Sequence, residues 1–294
     1  MNNTTPISSL EGYIWINGEF IENKHAKIHP LTHSLHYSGA VFEGIKSVKN
    51  NIFKIDEHLE RLFNSAQYME LEIKYSKDQL TNTIYELLKK NNLTKTNAYI
   101  RPLVWRDANS LMLNPDNFET NILIAAWEPF KSTTQTSLKL NLSNWIKPTE
   151  QMAYIQCKNS AQYSLYRLVI SDAKKKGFDE SIMLDINGYI AECTTTNIFF
   201  IKEDKLITPT TKYALNGITR QTILKIAEEM NINAEIIDIS PDQIEKMDSC
   251  FITGTSAGVK EVNSVNIHEQ KIELATDNII FKKFKERYMH LLEK

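Results

Sequence analysis

The feature that most constrains how this chain folds is a hairpin signal centred on Asn187-Gly188. Two apolar runs, residues 182–184 and 190–201, flank this dipeptide, which tolerates positive φ at both positions of a two-residue turn better than any other. A single charged residue, Glu192, interrupts the second run. Because an unpaired buried carboxylate is very costly, Glu192 either faces water or is held inside by a partner.

Composition indicates an ordinary folded protein without excess charge. The 294 residues are too many for one small core and predict one large or two medium domains. Hydrophobic residues make up 42% and charged residues 24% of the chain, which argues against disorder. The net charge of −2 gives no electrostatic case for binding nucleic acid or an anionic membrane.

Three cysteines, Cys157, Cys193 and Cys250, favour a reducing compartment. Their number is odd and their spacing fits neither a disulfide framework nor a paired-cysteine zinc site. Residues 1–13 lack the basic start and apolar centre of a signal peptide, and no apolar run approaches the length that spans a bilayer. We therefore expect a cytoplasmic protein with no membrane partner.

The order of periodic segments predicts the α+β class, with antiparallel hairpins in both halves. Asn17-Gly18 is a second hairpin signal near the start of the chain. Past Trp127 the sequence becomes polar and loses its periodicity, which predicts an interdomain linker over residues 128–137. A smaller N-terminal α/β domain then spans residues 1–127, and a larger C-terminal domain spans residues 138–294.

Five helices are predicted, two of them after Thr219 and near residues 276–292. The other three come earlier in the chain, where apolar residues recur at i, i+3, i+4 and i+7. The first follows Asp56, its expected N-cap, and the second covers residues 77–91. The third covers residues 162–176 and directs Leu165, Leu168 and Val169 inward.

Two segments have the composition of anion-binding loops. Residues 216–219 precede a predicted helix capped by Thr219, where free N–H groups and the helix dipole favour an anion. Residues 254–258 are small, follow a strand and could form a nest of backbone N–H groups. Taken singly, such segments are more often an ordinary helix cap and an ordinary strand-end turn. No Walker or dinucleotide fingerprint occurs, so nucleotide binding is not predicted.

Two smaller groups of residues have alternative interpretations. His29, His33 and His36 lack accompanying Asp, Glu or Cys, which favours loop histidines with local hydrogen bonds over a metal site. Tyr99 and Arg101 alternate along one strand and therefore share a face. That face either binds a carboxylate or is a surface strand edge.

Lys158 stands just before the third helix and by itself would be interpreted as a surface lysine. In combination with other segments, which follow in order along nearly the whole chain, it resembles the branched-chain amino acid aminotransferases, a group of fold type IV pyridoxal-phosphate enzymes. The segments are VFEGIK (41–46), HLERLFNSA (58–66), AYIRPL (98–103), GFDESIMLDINGYIAE (177–192), TNIF (196–199), LNGITRQ (215–221) and TGTSA (253–257).

This resemblance implies a two-domain fold, similar to that of D-amino acid aminotransferase, and pyridoxal 5′-phosphate as the cofactor. Lys158 is implied to hold the cofactor covalently and to move a proton between substrate and cofactor. Glu192 would pair with the pyridine nitrogen, so that Lys158 and Glu192 bracket one cofactor, and Tyr163 would bond the phenolic oxygen. The residues implied to hold the phosphate are Arg61, Ile218, Thr219 and Thr255.

The resemblance also implies the substrate pocket. Arg101 would pair with the γ-carboxylate of glutamate, while aromatic walls would hold a branched side chain. Thr255 and Ser256 would offer N–H groups to the α-carboxylate. The walls would be Phe42, Gly44, Tyr99 and Trp127, with Tyr37 contributed across the interface of a homodimer or of a higher homo-oligomer built from dimers.

The implied activity is transamination of L-leucine, L-isoleucine and L-valine with 2-oxoglutarate, giving branched-chain 2-oxo acids and L-glutamate in branched-chain amino acid biosynthesis. The alternative within the fold is a D-amino acid aminotransferase or an aminodeoxychorismate lyase, although the run Tyr99-Ile100-Arg101-Pro102 favours the branched-chain group. The alternative of a different class is a non-catalytic α+β protein in which Lys158 and Glu192 are incidental.

Three positions depart from the family pattern. Residues 193–196, Cys-Thr-Thr-Thr, replace a Gly-rich segment and a glutamate, so the support of the phosphate-binding arginine is expected to differ. Lys46 stands where arginine is common, and a point charge is not a planar fork. The segment after Trp127 lacks an aromatic residue that the pattern places nearer the pocket.

Overall fold

The computed structural model describes residues 11–113, 119–129, 137–268 and 270–294. The chain divides into two compact units. The first comprises Met1–Lys131, Cys157–Ala161 and Leu292–Lys294, and the second comprises Ser132–Gln156 and Gln162–Leu291. Most of the predicted linker, residues 130–136, lies outside the described residues, so the domain boundary stays a prediction.

The first unit is built on an antiparallel sheet. Its described strands β1 to β7 are Tyr13–Ile16, Glu19–Glu22, Ala40–Phe42, Ile45–Val48, Asn51–Ile52, Asn97–Arg106 and Thr120–Trp127. The strand order is β2-β1-β7-β6-β4-β5, and β3 also pairs with β6. Strand β6 therefore lies inside the sheet, with β7 on one side and β3 and β4 on the other. Asn17 and Gly18 both have positive φ, as a tight turn between β1 and β2 requires.

Three helices of the first unit are α1 (His33–Tyr37), α2 (Ile55–Tyr68) and α3 (Lys77–Lys90). The prediction of α3 is confirmed, and its capping box is formed by Ser76 and Gln79. The predicted cap of α2 is wrong. Lys54, with φ of 51°, is the N-cap, and Asp56 lies in the first turn, where its carboxylate faces the positive end of the helix dipole. Leucines and isoleucines of α2, α3 and β6 form one buried core.

The second unit contains a larger mixed sheet. Its described strands β8 to β16 are Ser137–Ile146, Glu180–Leu184, Ile190–Cys193, Asn197–Lys202, Lys205–Pro209, Ala234–Ile237, Ser249–Gly254, Gly258–Ile267 and Gln270–Glu273. The strand order is β10-β9-β8-β15-β14-β11-β12-β13, and β16 pairs with β15. The helices are α4 (Ser160–Lys175), α5 (Ile218–Glu229) and α6 (Ile279–Glu293). Helix α4 connects the parallel strands β8 and β9, and α5 connects the parallel strands β12 and β13.

The hairpin at Asn187-Gly188 is present, but its turn is wider than the predicted two-residue turn. Strands β9 and β10 pair antiparallel, with Ile190 opposite Leu184. Of the two turn residues only Gly188 has positive φ, at 86°. The Asp185 carboxylate accepts hydrogen bonds from the N–H groups of Asn187 and Tyr189 at 2.8 and 3.0 Å. These bonds from nearby backbone to an aspartate stabilise the longer turn.

The second apolar run, residues 190–201, is two strands rather than one. Strand β10 ends at Cys193 and pairs with β9, whereas β11 begins at Asn197 and pairs with β12 and β14. The Cys193 N–H donates to the Thr196 carbonyl at 2.9 Å across the break. Hydroxyl side chains that bond locally favour such a turn over a continuous strand.

Helix α4 buries a different face from the predicted one. Its buried residues are Gln162, Tyr166, Val169 and Ala173, whereas Leu168 is 51% exposed. The prediction that Leu168 points inward is therefore wrong. Two polar side chains take the interior positions because they belong to a hydrogen-bonded network, described below. Among the described residues, no helix is both long and apolar enough to cross a membrane.

Candidate active site

Lys158 of the first unit is fixed by its backbone. Its N–H donates to the Ser65 hydroxyl at 3.0 Å, and its carbonyl accepts from the Phe42 N–H at 3.2 Å. Asn159 forms an isolated β-bridge to Val41, the middle residue of β3. The half-buried side chain places Nζ 5.0 Å from the centre of the Phe42 ring. The lysine is thus held on ordered backbone beside an aromatic residue, which is not the surroundings of an incidental surface lysine.

A buried carboxylate that the sequence did not single out, Glu43, holds Arg61. Arg61 Nε and Nη2 donate to the two Glu43 oxygens at 2.6 and 2.9 Å, and His58 Nδ1 lies 2.7 Å from Oε2. Glu43 has no exposed surface. We call these three residues the Glu43 group. The motif VFEGIK carried the signal, since a glutamate between two buried strands needs a partner.

The charges of the Glu43 group follow from burial and pairing. Burial by itself would raise the pKa of the Glu43 carboxyl, but the charge of Arg61 and the hydrogen bonds from Arg61 and His58 outweigh it and hold the pKa well below its ordinary value. Burial lowers the pKa of His58, against the opposing effect of Glu43. The group therefore contains one anion, one cation and a neutral imidazole. Within the first unit, Glu43 thus orients Arg61.

The predicted pocket residues of the first unit, apart from Tyr37, lie together. Arg101 Nη2 donates to the Tyr99 hydroxyl at 2.9 Å, and the Tyr99 ring lies 5.1 Å from that of Trp127. The Arg101 guanidinium carbon lies 4.7 Å from the centre of the Phe42 ring. A Cβ added at Gly44 would overlap the Tyr99 hydroxyl. Because β6 is an interior strand, the interpretation of Tyr99 and Arg101 as a surface edge is wrong.

Tyr37 belongs to an exposed apolar surface instead. Its hydroxyl donates to the Leu111 carbonyl at 2.9 Å, and His33 Nε2 lies 3.1 Å from the Met112 carbonyl. These bonds join α1 to the loop after β6. The exposed side chains of this α1 surface are Ile28, Leu31, Leu35, Tyr37, Leu111, Met112 and Leu113.

His29 and His36 make local hydrogen bonds to the backbone, as expected. His33 instead contacts the distant Met112 carbonyl, and both His33 and His36 lie in α1 rather than in a loop. His29 Nδ1 accepts from the Leu31 N–H at 3.1 Å, and His36 Nε2 lies 2.9 Å from the Pro30 carbonyl. Over the ranges that the structure describes, no three His, Cys, Asp or Glu residues group as metal ligands.

In the second unit, Glu192 is a held interior charge. It is 5% exposed, and Oε1 accepts from Lys147 Nζ at 2.6 Å and from the Leu215 N–H at 3.4 Å. Asn197 Nδ2 donates to Oε2 at 3.1 Å and to the Leu215 carbonyl at 2.9 Å. The structure thus decides between the two alternatives that the sequence left open, and the partner is a lysine that the sequence did not identify.

Helix α4 supplies the other side of this network. Tyr166 accepts a hydrogen bond from Lys147 Nζ and donates to Gln162 Oε1 at 2.7 Å. Burial, with the nearby charge of Glu192, raises the pKa of Tyr166 far above its ordinary value, so that the phenol stays neutral. Tyr163 is half-buried, with its ring centre 5.3 Å from that of Tyr166.

The first predicted anion loop lies next to Asn197. Helix α5 begins at Ile218 with Gly217 as its N-cap, so the prediction that Thr219 is the cap is wrong. A Cβ at Gly217 would overlap Asn197 Oδ1, which leaves glycine as the residue that fits. The first turn carries no acidic side chain and the cap makes no side-chain hydrogen bond to it. Ile218 and Thr219 are both buried, with their N–H groups in the first turn of the helix.

The second predicted anion loop is a hairpin turn between β14 and β15. Gly254 pairs with Gly258, which leaves Thr255 and Ser256 at the tip. Helix α5 packs against β14, so the two anion loops belong to neighbouring elements. The threonine run at residues 194–196 lies near this turn: a Cβ added at Gly254 would contact Thr196 Cγ2. Thr194 donates instead to Glu180, a buried carboxylate of β9.

Comparison with known proteins places this arrangement in a class. The family description "Amino-transferase class IV" matches residues 40–265. That span is more than half of the chain, and the chain belongs to the class IV aminotransferase family. The predicted α+β, fold type IV class is confirmed.

Within this family the chain is similar to the branched-chain-amino-acid aminotransferases. It is 41% identical to the probable enzyme of that name from Rickettsia bellii, over 94% of both chains. The solved Escherichia coli branched-chain amino acid aminotransferase is 31% identical, with a TM-score of 0.89, covering 96% of this chain and 95% of that one. The Thermobaculum terrenum enzyme of the same name, solved in its PLP-form, is 25% identical, with a TM-score of 0.87, covering 96% and 94%.

Proposed function

We propose that this chain is a branched-chain aminotransferase that uses pyridoxal 5′-phosphate to exchange the amino group of L-leucine, L-isoleucine or L-valine with 2-oxoglutarate. The observation that carries the proposal is the end-to-end similarity to proteins of that name. The described residues support it with the chemistry that such a reaction needs.

The residues present fit this cofactor. A phosphate needs cations and N–H donors. Arg61 provides a cation, and the first turn of α5, to which the Gly217 cap makes no side-chain hydrogen bond, provides N–H donors. A protonated ring nitrogen needs a fixed anionic acceptor, and Glu192 is one. When bound, pyridoxal phosphate supplies an aldehyde that takes the amino group and a ring that accepts the electron pair of the substrate Cα.

The chain's own residues would have separate roles. Lys158 Nζ takes the proton from the substrate Cα, and its backbone bonds to Ser65 and Phe42 fix where the side chain starts. Glu192 would keep the ring nitrogen protonated, and Tyr163 would donate to the phenolic oxygen. The residues proposed to hold the phosphate are Arg61, Ile218, Thr219 and Thr255.

One pocket has to accept two kinds of side chain. Arg101 supplies a charged fork for the γ-carboxylate of glutamate, while Tyr99, Trp127 and Phe42 form an apolar wall for leucine. Thr255 and Ser256 are proposed to bind the α-carboxylate that both substrates share.

A substrate panel tests the proposal directly. The purified chain, loaded with pyridoxal phosphate, should be yellow and should transaminate L-leucine, L-isoleucine and L-valine with 2-oxoglutarate. Lys158→Ala should lose the yellow absorption band. Turnover of D-alanine without turnover of L-leucine would identify the D-amino acid branch of the fold. A protein that stays colourless with added cofactor would refute the proposal.

We further propose that the chain forms a homodimer through the α1 surface. A set of exposed apolar side chains that are adjacent on two bonded segments is typical of an interaction surface. Tyr37 would then reach the active site of the second copy. Sedimentation of the wild-type chain and of Leu35→Glu tests this, because a monomeric wild type would refute it. The three cysteines are free and buried, which supports a reducing, cytoplasmic location.

A further inference from the structure

Lys147 is one of the largest fully buried side chains of the described residues. It follows the last residue of β8, its side chain is 1% exposed, and its backbone N–H donates to the Leu184 carbonyl at 2.8 Å. A buried ammonium is costly unless it is paired and hydrogen-bonded. An apolar side chain would be sufficient for core packing at this position, so packing alone does not explain a charged residue there.

The partners of Lys147 are all in the network around Glu192. Nζ donates to Glu192 Oε1 at 2.6 Å and to the Tyr166 hydroxyl, and it lies 4.0 Å from the centre of the Tyr166 ring. Tyr166 in turn is fixed by Gln162, whose amide donates to the Tyr154 carbonyl at 2.9 Å. This chain of contacts holds the ammonium against one carboxylate oxygen.

The other groups around Glu192 do not replace this charge. Tyr166 and the adjacent Cys193 both have a pKa raised by burial and are neutral. Arg220 of α5 interacts electrostatically with Glu192, but it donates its hydrogen bonds to Asn216 Oδ1 and to the Pro209 carbonyl. Among the described contacts, the ion pair that Glu192 makes is with Lys147.

The two oxygens of Glu192 are used differently. Oε1 accepts from the lysine and from a backbone N–H, whereas Oε2 accepts from the Asn197 amide. A carboxylate oxygen has two lone pairs, so Oε2 can accept a further donor beside Asn197. The lysine therefore neutralises the carboxylate from one side and leaves the other oxygen for a ligand.

We propose that Lys147 is a positioning residue that keeps Glu192 ionised and oriented in the protein before any cofactor binds. This inference rests on the proposed function, in which Glu192 pairs with the ring nitrogen of pyridoxal phosphate. A neutral Glu192 would have no charge with which to keep that nitrogen protonated. Lys147 thus acts on the cofactor through Glu192.

The test uses the full-length chain stripped of bound cofactor, with urea unfolding measured at several pH values from 5 to 9. In Lys147→Met the buried Glu192 carboxyl loses its cation, so a charged Glu192 becomes more costly in the folded chain than in the unfolded chain, where water solvates it. The folding constant of this variant, relative to wild type, should therefore be highest at the acidic end of the range and should fall as the pH rises, by up to about tenfold per pH unit.

Glu192→Gln should show the opposite sign. The buried Lys147 ammonium then lacks its counter-ion and is more costly in the folded chain than in water, so stability relative to wild type should rise with pH. The double variant has neither charge and should show no such slope in either direction. Should Lys147→Met not fold, the contrast between Glu192→Gln and the double variant carries the same test.

Two controls separate a charge effect from a packing effect. Lys147→Arg restores the cation and should restore the wild-type pH profile, which a role limited to filling space does not require. Lys205→Met removes an exposed lysine from its pair with Glu235 and should leave the profile unchanged. Parallel profiles for Lys147→Met and wild type would overturn the inference. Binding of pyridoxal phosphate to the wild type, followed by its absorbance, tests the proposed function separately.

Discussion

Replacing Glu43 by glutamine keeps the shape of the Glu43 group and removes its anion. Three hydrogen-bond contacts, at 2.6, 2.9 and 2.7 Å, end on the buried carboxylate. The amide NH₂ cannot accept, so a donor of Arg61 or His58 loses its acceptor and the arginine loses its counter-ion. Removing one partner of a buried pair costs about 3–5 kcal/mol. Arg61 keeps some access to water, which places the expected loss near the lower end, at about 3 kcal/mol.

A matched control lies on α2, the helix that carries His58 and Arg61. Glu57 pairs with Lys54 at 2.5 Å, but its side chain is 47% exposed. Exposed pairs contribute at most about 1 kcal/mol, so Glu57→Gln should shift the urea midpoint far less than Glu43→Gln. Loss of oriented Arg61 should also weaken binding of pyridoxal phosphate, measured by absorbance titration. Equal midpoints for the two variants would refute the assignment of Glu43 as the support of Arg61.

The pH dependence of this effect has a definite sign. The folded-state pKa of Glu43 lies below the ordinary value of 4.5, so its contribution is present above that pH and is lost as the pH falls through the folded pKa. Glu43→Gln has no such group. The stability difference between wild type and variant should therefore shrink on acidification below about pH 4.5, as followed by thermal unfolding. A difference that grows on acidification would contradict this sign.

Three further predictions concern other positions. Gly44→Ala should displace the Tyr99 ring and lower kcat/KM for glutamate by on the order of 100-fold. Gly188→Ala is the control, because a Cβ there meets open space but the φ angle is positive. It should cost about 1 kcal/mol of stability and leave kcat/KM unchanged. Arg101→Met should raise KM for 2-oxoglutarate about tenfold, from the loss of a charged hydrogen bond, with little change for L-leucine; equal effects on both substrates would exclude the γ-carboxylate role. Burial raises the pKa of Glu180, so wild-type stability should fall as pH rises through the folded-state pKa. Glu180→Gln should remove this slope of stability against pH, measured by urea unfolding above pH 4.5. Identical slopes for the two proteins would show that the carboxyl does not titrate there.

The sequence predicted those elements whose pattern and packing agree. Helix α3 has a capping box and an uninterrupted apolar stripe, and its bounds were predicted to within a residue. The Asn17-Gly18 turn has the expected positive φ at both positions. In these segments local chemistry alone decides the structure, so no distant contact had to be known.

Other elements depend on partners far along the chain. Helix α4 turns Gln162 and Tyr166 inward because the buried ammonium of Lys147 lies there and needs acceptors. An apolar periodicity cannot reveal a polar face of this kind, so Leu168 was assigned to the wrong side. At Asn187-Gly188 the carboxylate of Asp185 changed the turn, which shows how one side chain overrides a dipeptide preference.

The candidate site divides in the same way. Residue types such as Lys158, Arg61 and Glu192 were identified through the family resemblance, and their local surroundings are now described. Glu43 and Lys147, which hold Arg61 and Glu192, were missed. A residue that positions another side chain is recognised by its contacts in the folded protein and has no sequence motif of its own. A charged residue within or beside an apolar strand was the available signal in both cases.

The first unit contains segments that are far apart in the sequence, and this affects the order in which the unit is completed during synthesis. That unit includes Cys157–Ala161 and Leu292–Lys294, and the Asn51 side chain donates to the Leu292 carbonyl at 3.0 Å. Synthesis proceeds from the first residue, so a ribosome-bound nascent chain can complete the sheet of this unit long before it can add these two segments. Lys158 lies 93 positions after Ser65 in the sequence, yet its backbone bonds the Ser65 hydroxyl. Lys158 is therefore positioned late, and a chain interrupted before residue 157 would contain Arg61 and the rest of the Glu43 group without Lys158, the amine proposed to hold the cofactor.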